Sequence, residues 1–216
     1  SREGNRMSKC LFYGTFLVVA ANVCLAAPEP AVVQRPGHWT VEVKFEQPQQ
    51  LILSGGGSGL VRFWYMILTV TNRTGQDVEF YPRCELMSDT FQIVPSGVGV
   101  PPIAFEQIKQ RHQGRYPFLE AMSKVENRIL QGEDNAKDIA VIWRDFDSQA
   151  GGFKVFITGL SNETAAIDHP VAVDGMGQPV RVFLRKTLQL DYAFRGDPAM
   201  RDTAQVVFKD KSWVMR

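Results

Sequence analysis

Three histidines, His38, His112 and His169, two alternate carboxylates, Asp145 and Asp147, and the serine of GLSNE are the side chains whose types suggest chemistry. A metal site needs imidazole, thiolate or carboxylate groups at spacings that put them on one element, as in His-x-His or His-Glu-x-x-His; the three histidines are too far apart in sequence for either. Asp145 and Asp147 stand in WRDFDSQAGG at the end of an apolar run. They could offer oxygens to calcium, yet Ala150 occupies the place of the invariant loop glycine and no glutamate follows at the required offset. They remain weak metal candidates, and a solvated turn is the favoured reading. Ser161 lacks the Gly-x-Ser-x-Gly elbow and leads into a loop instead of a helix, so it does not read as a nucleophile. The glycine cluster SGGGSG (54–59) lacks the Lys-Ser/Thr that completes a phosphate cradle, and it reads as a hairpin loop. Trp64, Trp143 and Trp213 could stack on a sugar, but the first two lie inside core-like runs where packing is the stronger explanation. No cofactor is predicted.

The 216 residues carry a formal net charge of +1, which supplies no basic footprint for nucleic acid or an anionic membrane. Met7-Ser8-Lys9 followed by CLFYGTFLVVAANVCLAA, with small residues at Cys24 and Ala26, is the pattern of a signal peptide. The expected organisation is an upstream extension (1–6), a signal peptide (7–26), an extended linker (27–37) and one domain (38–216); the alternative is an uncleaved anchor. Cleavage would leave about 190 residues, enough for one sizeable core, with no further membrane span. The expected location is therefore periplasmic or extracellular. Cys84 is the one thiol outside the leader, so it cannot form an internal disulfide, and its alternation with Phe80, Pro82 and Leu86 points it inward. Asn72-Arg73-Thr74 and Asn162-Glu163-Thr164 match the glycan acceptor pattern.

The elements that must position these groups are mostly strands. WTVEVKF (39–45), QLIL (50–53), LVRFWYMILTVTN (60–72) and VEFYPRCELM (78–87) alternate or run apolar, with NRTGQD (72–77) as a polar turn. The run 61–71 is apolar on both faces. Trp64, Met66, Leu68 and Val70 share one side, while Phe63, Tyr65 and Ile67 share the other. That second side is either covered by another layer or is a possible partner face. Residues 95–127 break the rhythm: Phe105, Ile108 and His112 fall at helical spacing, as do Phe118, Met122 and Val125, giving a short helical insertion able to supply the cover. Strands resume at 128–134, 138–146 and 153–160. A polar loop is expected at 161–179, then strands at 180–194, 204–210 and 212–215. The pattern predicts a mainly β, antiparallel sandwich.

The order TVTNRTGQDV, ILQGEDNAKDIAVIW, FKVFITGL resembles secreted bacterial immunoglobulin-like domains. WYMILTVTNRTG, GLSNE, LRKTLQLDY and SWVMR resemble uncharacterised exported proteins of planctomycete-type bacteria. The likeness covers most of 38–216 and implies an immunoglobulin-like architecture. It implies no activity, so it lends no site residues, and the paired cysteines of antibody-type domains are absent. The expected function is a non-enzymatic exported module that binds a protein or a cell-envelope component. The alternative is a glycan- or calcium-binding module, or a small enzyme with its site built from loops.

Overall fold

A computed structural model describes residues 37–54, 59–196 and 204–216. The expected extension, signal peptide and linker up to residue 36, and the tip of the SGGGSG loop, lie outside the described residues. The domain is mainly β, as expected, with two facing sheets and one short helix.

One sheet is built on β3 (Leu60–Asn72). Along one edge β3 pairs with β1 (Glu42–Phe45) and β2 (Gln49–Ser54), and along the other with β9 (Gly132–Arg144). A two-residue strand, β7 (Glu120–Ala121), adds to β9 in parallel. The second sheet contains β5 (Arg83–Ser88), β6 (Ile93–Pro95), β10 (Gly152–Thr158), β11 (Thr164–Val173), β12 (Pro179–Arg195) and β13 (Gln205–Met215). Between them β4 (Val78–Glu79) pairs with β8 (Arg128–Ile129).

The sandwich core follows from period-2 alternation. Trp64, Met66, Leu68 and Val70 of β3 meet Ile139, Val141 and Trp143 of β9, and face Leu86, Val155, Ile157, Leu188 and Leu190 from the other sheet. Cys84 is buried in this core, and burial raises its thiol pKa well above the usual range. The opposite face of β3 makes a second core with helix α1 (Pro102–His112). Pro102 suits the first helical position, where an amide hydrogen would have no partner. Lys109, Arg111 and His112 in the last turn favour the negative end of the helix dipole. Ala104 and Ile108, one turn apart, are the fully buried residues of the helix, whereas Phe105 and His112 are half-buried.

Several boundaries differ from the sequence reading. Residues 117–128 form no α-helix: they contain β7, one short 3-10 helix at Met122–Lys124 and the start of β8. The stretch 161–179, expected as a polar loop, is mostly strand β11, TAAIDHPVAV, which is exposed on both faces. β9 runs unbroken from Gly132 through the turn expected between 134 and 138, and its pairing with β3 shifts register between Lys137 opposite Val70 and Gly132 opposite Asn72. The final two runs are one strand, β13, with a register shift opposite Asp191 and Tyr192.

NRTGQD is a turn between strands of different sheets. β3 pairs with β9, and the chain crosses to β5 through β4. Asn72 anchors the crossing. Fully buried, its Nδ2 donates to the carbonyls of Gln76 (2.8 Å) and Ile129 (3.0 Å), and its Oδ1 accepts from Thr74 N (3.0 Å) and Thr74 Oγ1 (2.8 Å). Gly75 follows at φ +88, a conformation that disfavours any side chain. VEFYPRCELM breaks in two at Phe80–Pro82, where Tyr81 O passes so close to Gly159 that a Cβ there would lie 2.3 Å from it.

Candidate functional site: a cleft under the helical insertion

The insertion does cover the outer face of β3. Phe63, Tyr65 and Ile67 are buried beneath Ala104, Ile108, Tyr116 and Leu119. The possible partner face is thereby corrected: these three residues form an internal layer, because an uncovered row of such large apolar groups would lose the stabilisation that helix packing provides.

Polar groups fasten the cover at its far end. The Tyr65 hydroxyl donates to Gln49 Oε1 (2.9 Å), accepts from Arg111 Nη1 (3.2 Å) and lies 3.0 Å from His112 Nε2. The Tyr116 hydroxyl donates to Glu46 Oε1 (2.6 Å), which also pairs with Arg115. Burial holds the His112 pKa below its ordinary value, assisted by Arg111 and Arg115 against Glu46. Burial first, then the bond to Glu46, pushes Tyr116 up to about 12. Tyrosine, histidine and arginine in contact resemble an acid–base set. Tyr65 is wholly buried, however, and its hydroxyl is occupied on three sides, so the arrangement ties helix to sheet.

The other candidates are held apart. Asp145 accepts from Trp64 Nε1 (2.8 Å), Arg62 Nη1 (3.2 Å) and Phe146 N (3.1 Å). Asp147 caps the next turn through Gln149 N (2.9 Å), while its own amide donates to Gln92 Oε1 (2.6 Å). Among the described residues no group of three or more His, Cys, Asp or Glu is placed to hold a metal ion. Ser161 Oγ donates to Trp39 O (2.8 Å) and accepts from Thr40 Oγ1 (3.0 Å) and Glu163 N (3.1 Å), which makes it a joint between the first residues of the domain and the start of β11. His169 Nδ1 accepts from Val171 N (3.2 Å) and Ala172 N (2.8 Å) in an exposed irregularity of β11. Trp64 and Trp143 are buried, and Trp213 lies under the Lys186 ammonium at 5.3 Å.

What the fold creates instead is a cleft of about 690 Å³ where the insertion meets the open side of the sandwich. It is lined by Ala140 and Ile142 of β9, by Val100, Pro101, Pro102 and Phe105 around the helix start, and by Pro95 and Met122. Arg83, Glu85, Glu106 and Lys124 ring the mouth. The volume lies in the range of small-molecule and side-chain pockets, and the lining has the apolar character of a binding site. Ser96 bridges the two sides: its amide donates to Cys84 O (2.9 Å) and its hydroxyl reaches Met122 Sδ (3.5 Å). Sequence reasoning missed Val100, Phe105 and Met122 as a group; the proline-rich PSGVGVPP was the visible signal, since a stiff loop can hold a wall open.

Comparison with known proteins yields no matching family model, and neither a curated protein nor a solved structure matches the chain significantly. Among the described residues no helix is long and apolar enough to cross a membrane.

Proposed function

We propose that the domain is a non-enzymatic, exported binding module whose cleft receives an apolar segment of a protein partner at the cell envelope. The observation that carries this reading is the cleft between insertion and sandwich, apolar on its floor and walls and charged with both signs at its rim. Side chains of a bound segment would enter the apolar space while its polar backbone meets the rim, the division that peptide-binding grooves use. Calcium and glycan readings receive less support, because Asp145 and Asp147 serve turns and no exposed tryptophan lines the cleft. Export rests on the leader pattern in residues 7–26, and processing there would give a product starting near Ala27.

The test is a peptide library displayed on phage and panned against the full chain, with Val100→Lys as the counter-selection target. Val100 is half-buried in the cleft wall, so a lysine there fills the space without entering the sandwich core. Enrichment of apolar-anchored peptides that bind the parent at least about tenfold tighter than the variant supports the reading. Peptides that bind both chains equally, or no enrichment, overturn it.

A further inference from the structure

The charges that line the cleft are not equally engaged. Glu85 is held by Arg216, whose Nη2 lies 3.1 Å from its Oε2. Arg83 and Lys124 line the same cleft and make no ion pair among the described residues, and neither does Glu106. Ser123, the neighbour of Lys124, adds a hydroxyl that makes no hydrogen bond among the described residues. The other hydroxyl of the lining, that of Ser96, is already turned to Met122 Sδ at 3.5 Å.

These groups reach the cleft from separate elements. Arg83 opens β5; since Cys84 and Leu86 point into the sandwich core, alternation turns Arg83 to the opposite, exposed face. Ser123 and Lys124 close the 3-10 helix Met122–Lys124, and both are exposed. Glu106 follows Phe105 on α1. Neither cation fastens one element to another, as Arg111 does at the Tyr65 hydroxyl. Pro82, Pro95, Pro101 and Pro102 of the lining have no amide hydrogen to offer an entering acceptor, so the side chains supply the donors. Two cations and a hydroxyl thus stand unengaged beside an apolar space, against one unengaged carboxylate.

We infer that the segment received by the cleft carries an Asp or Glu beside its apolar anchor, whose carboxylate pairs with Arg83 and Lys124 and accepts from Ser123. The inference rests on the reading of the cleft as a site for a protein segment, and it adds the sign of the residue that flanks the anchor. Apolar walls lower the local dielectric, so a carboxylate brought to this mouth gains more than one paired in open water, although solvent still screens it. A neutral flank leaves both cations hydrated and gains nothing from them. A basic flank meets two like charges and has Glu106 alone as a partner. The expected order is therefore acidic, neutral, basic, and the repulsion of basic flanks excludes wrong partners as much as the attraction selects right ones.

The test uses the full chain and three sets of labelled synthetic peptides. All share the same apolar cores, Leu, Phe and Val in every order, and the sets are flanked by Glu, by Gln or by Lys. Fluorescence anisotropy at low salt should show the Glu-flanked set binding at least about threefold tighter than the Gln-flanked set, with the Lys-flanked set weakest. High salt should shrink this advantage, because charges at the mouth are screened. Arg83→Glu combined with Lys124→Glu should place the Lys-flanked set above the Glu-flanked one, with an unchanged circular dichroism spectrum, since both side chains are exposed. Glu106→Gln should keep the parent's order. If no set binds, or if all bind Val100→Lys as tightly as the parent, the reading of the cleft falls and the inference with it. If peptides bind and Val100→Lys weakens them, the inference alone is overturned by a Glu advantage under about threefold, by an advantage that salt leaves unchanged, or by a double variant that keeps the parent's order.

Discussion

Replacing Ile108 by alanine measures how far the insertion belongs to the fold. Ile108 is 0% exposed and lies in the layer that contains Tyr65, Ile67 and Leu119. The substitution removes three carbon groups, about 2.4 kcal/mol of lost transfer at about 0.8 kcal/mol each. A void between helix and sheet that collapses only in part carries the total to about 3–4 kcal/mol. Ile103, on the same helix but 53% exposed, provides the internal control, and Ile103→Ala should cost no more than about 0.5 kcal/mol. Urea unfolding followed by circular dichroism of the strands should show a lower midpoint at constant slope for Ile108→Ala and little change for Ile103→Ala. If the two variants behave alike, the helix does not contribute its buried face to the cooperative unit. If Ile108→Ala lowers the unfolding free energy by less than about 0.5 kcal/mol, the second core is not coupled to the first.

The pH dependence follows from the groups that fasten the helix. The His112 pKa is depressed in the folded chain, so below the ordinary value of 6.5 the unfolded chain takes up its proton first; stability should fall as pH drops through that region, and His112→Asn should flatten this limb of the urea midpoints. Tyr116, raised from 10.0 to about 12, works in the opposite range: above pH 10 the unfolded chain loses its proton first, so stability should fall between 10 and about 12, less steeply in Tyr116→Phe. Asn72→Ala leaves the buried carbonyl of Ile129 without the Nδ2 donor and should cost about 2–3 kcal/mol in the same assay, whereas Arg73→Ala, at an exposed pair with Glu133, should cost under about 1 kcal/mol. Phe91 has φ 65 and is 83% exposed, so Phe91→Gly relieves backbone strain without losing packing; a gain of about 0.5–1 kcal/mol is expected after the added chain entropy, and a loss would show that the ring is held by contacts.

Most strands were legible because their alternation is local. β3 announces both its faces in thirteen consecutive residues, and β12 shows Leu188, Leu190 and Tyr192 against Gln189 and Asp191. The inward thiol of Cys84 was legible for the same reason. β11 was not, since a strand exposed on both faces carries no burial signal and is held by backbone pairing with β12. Residues 117–128 show the converse error. Phe118, Met122 and Val125 recur at helical spacing, yet Phe118 is 84% exposed, and the chain there is drawn out along β9 and β4. Tertiary pairing overrode a local period.

By itself the sequence determined alternation, and through it a β domain with a central strand apolar on both faces and a short helical interruption. Only the tertiary structure decided that Phe63, Tyr65 and Ile67 face a helix and not a partner. It also set the apolar cleft among Val100, Phe105, Met122 and Ile142. The physical reason is range. Which way a side chain points is fixed by its neighbours one or two residues away, whereas what it meets there depends on segments tens of residues distant, whose positions no local period encodes.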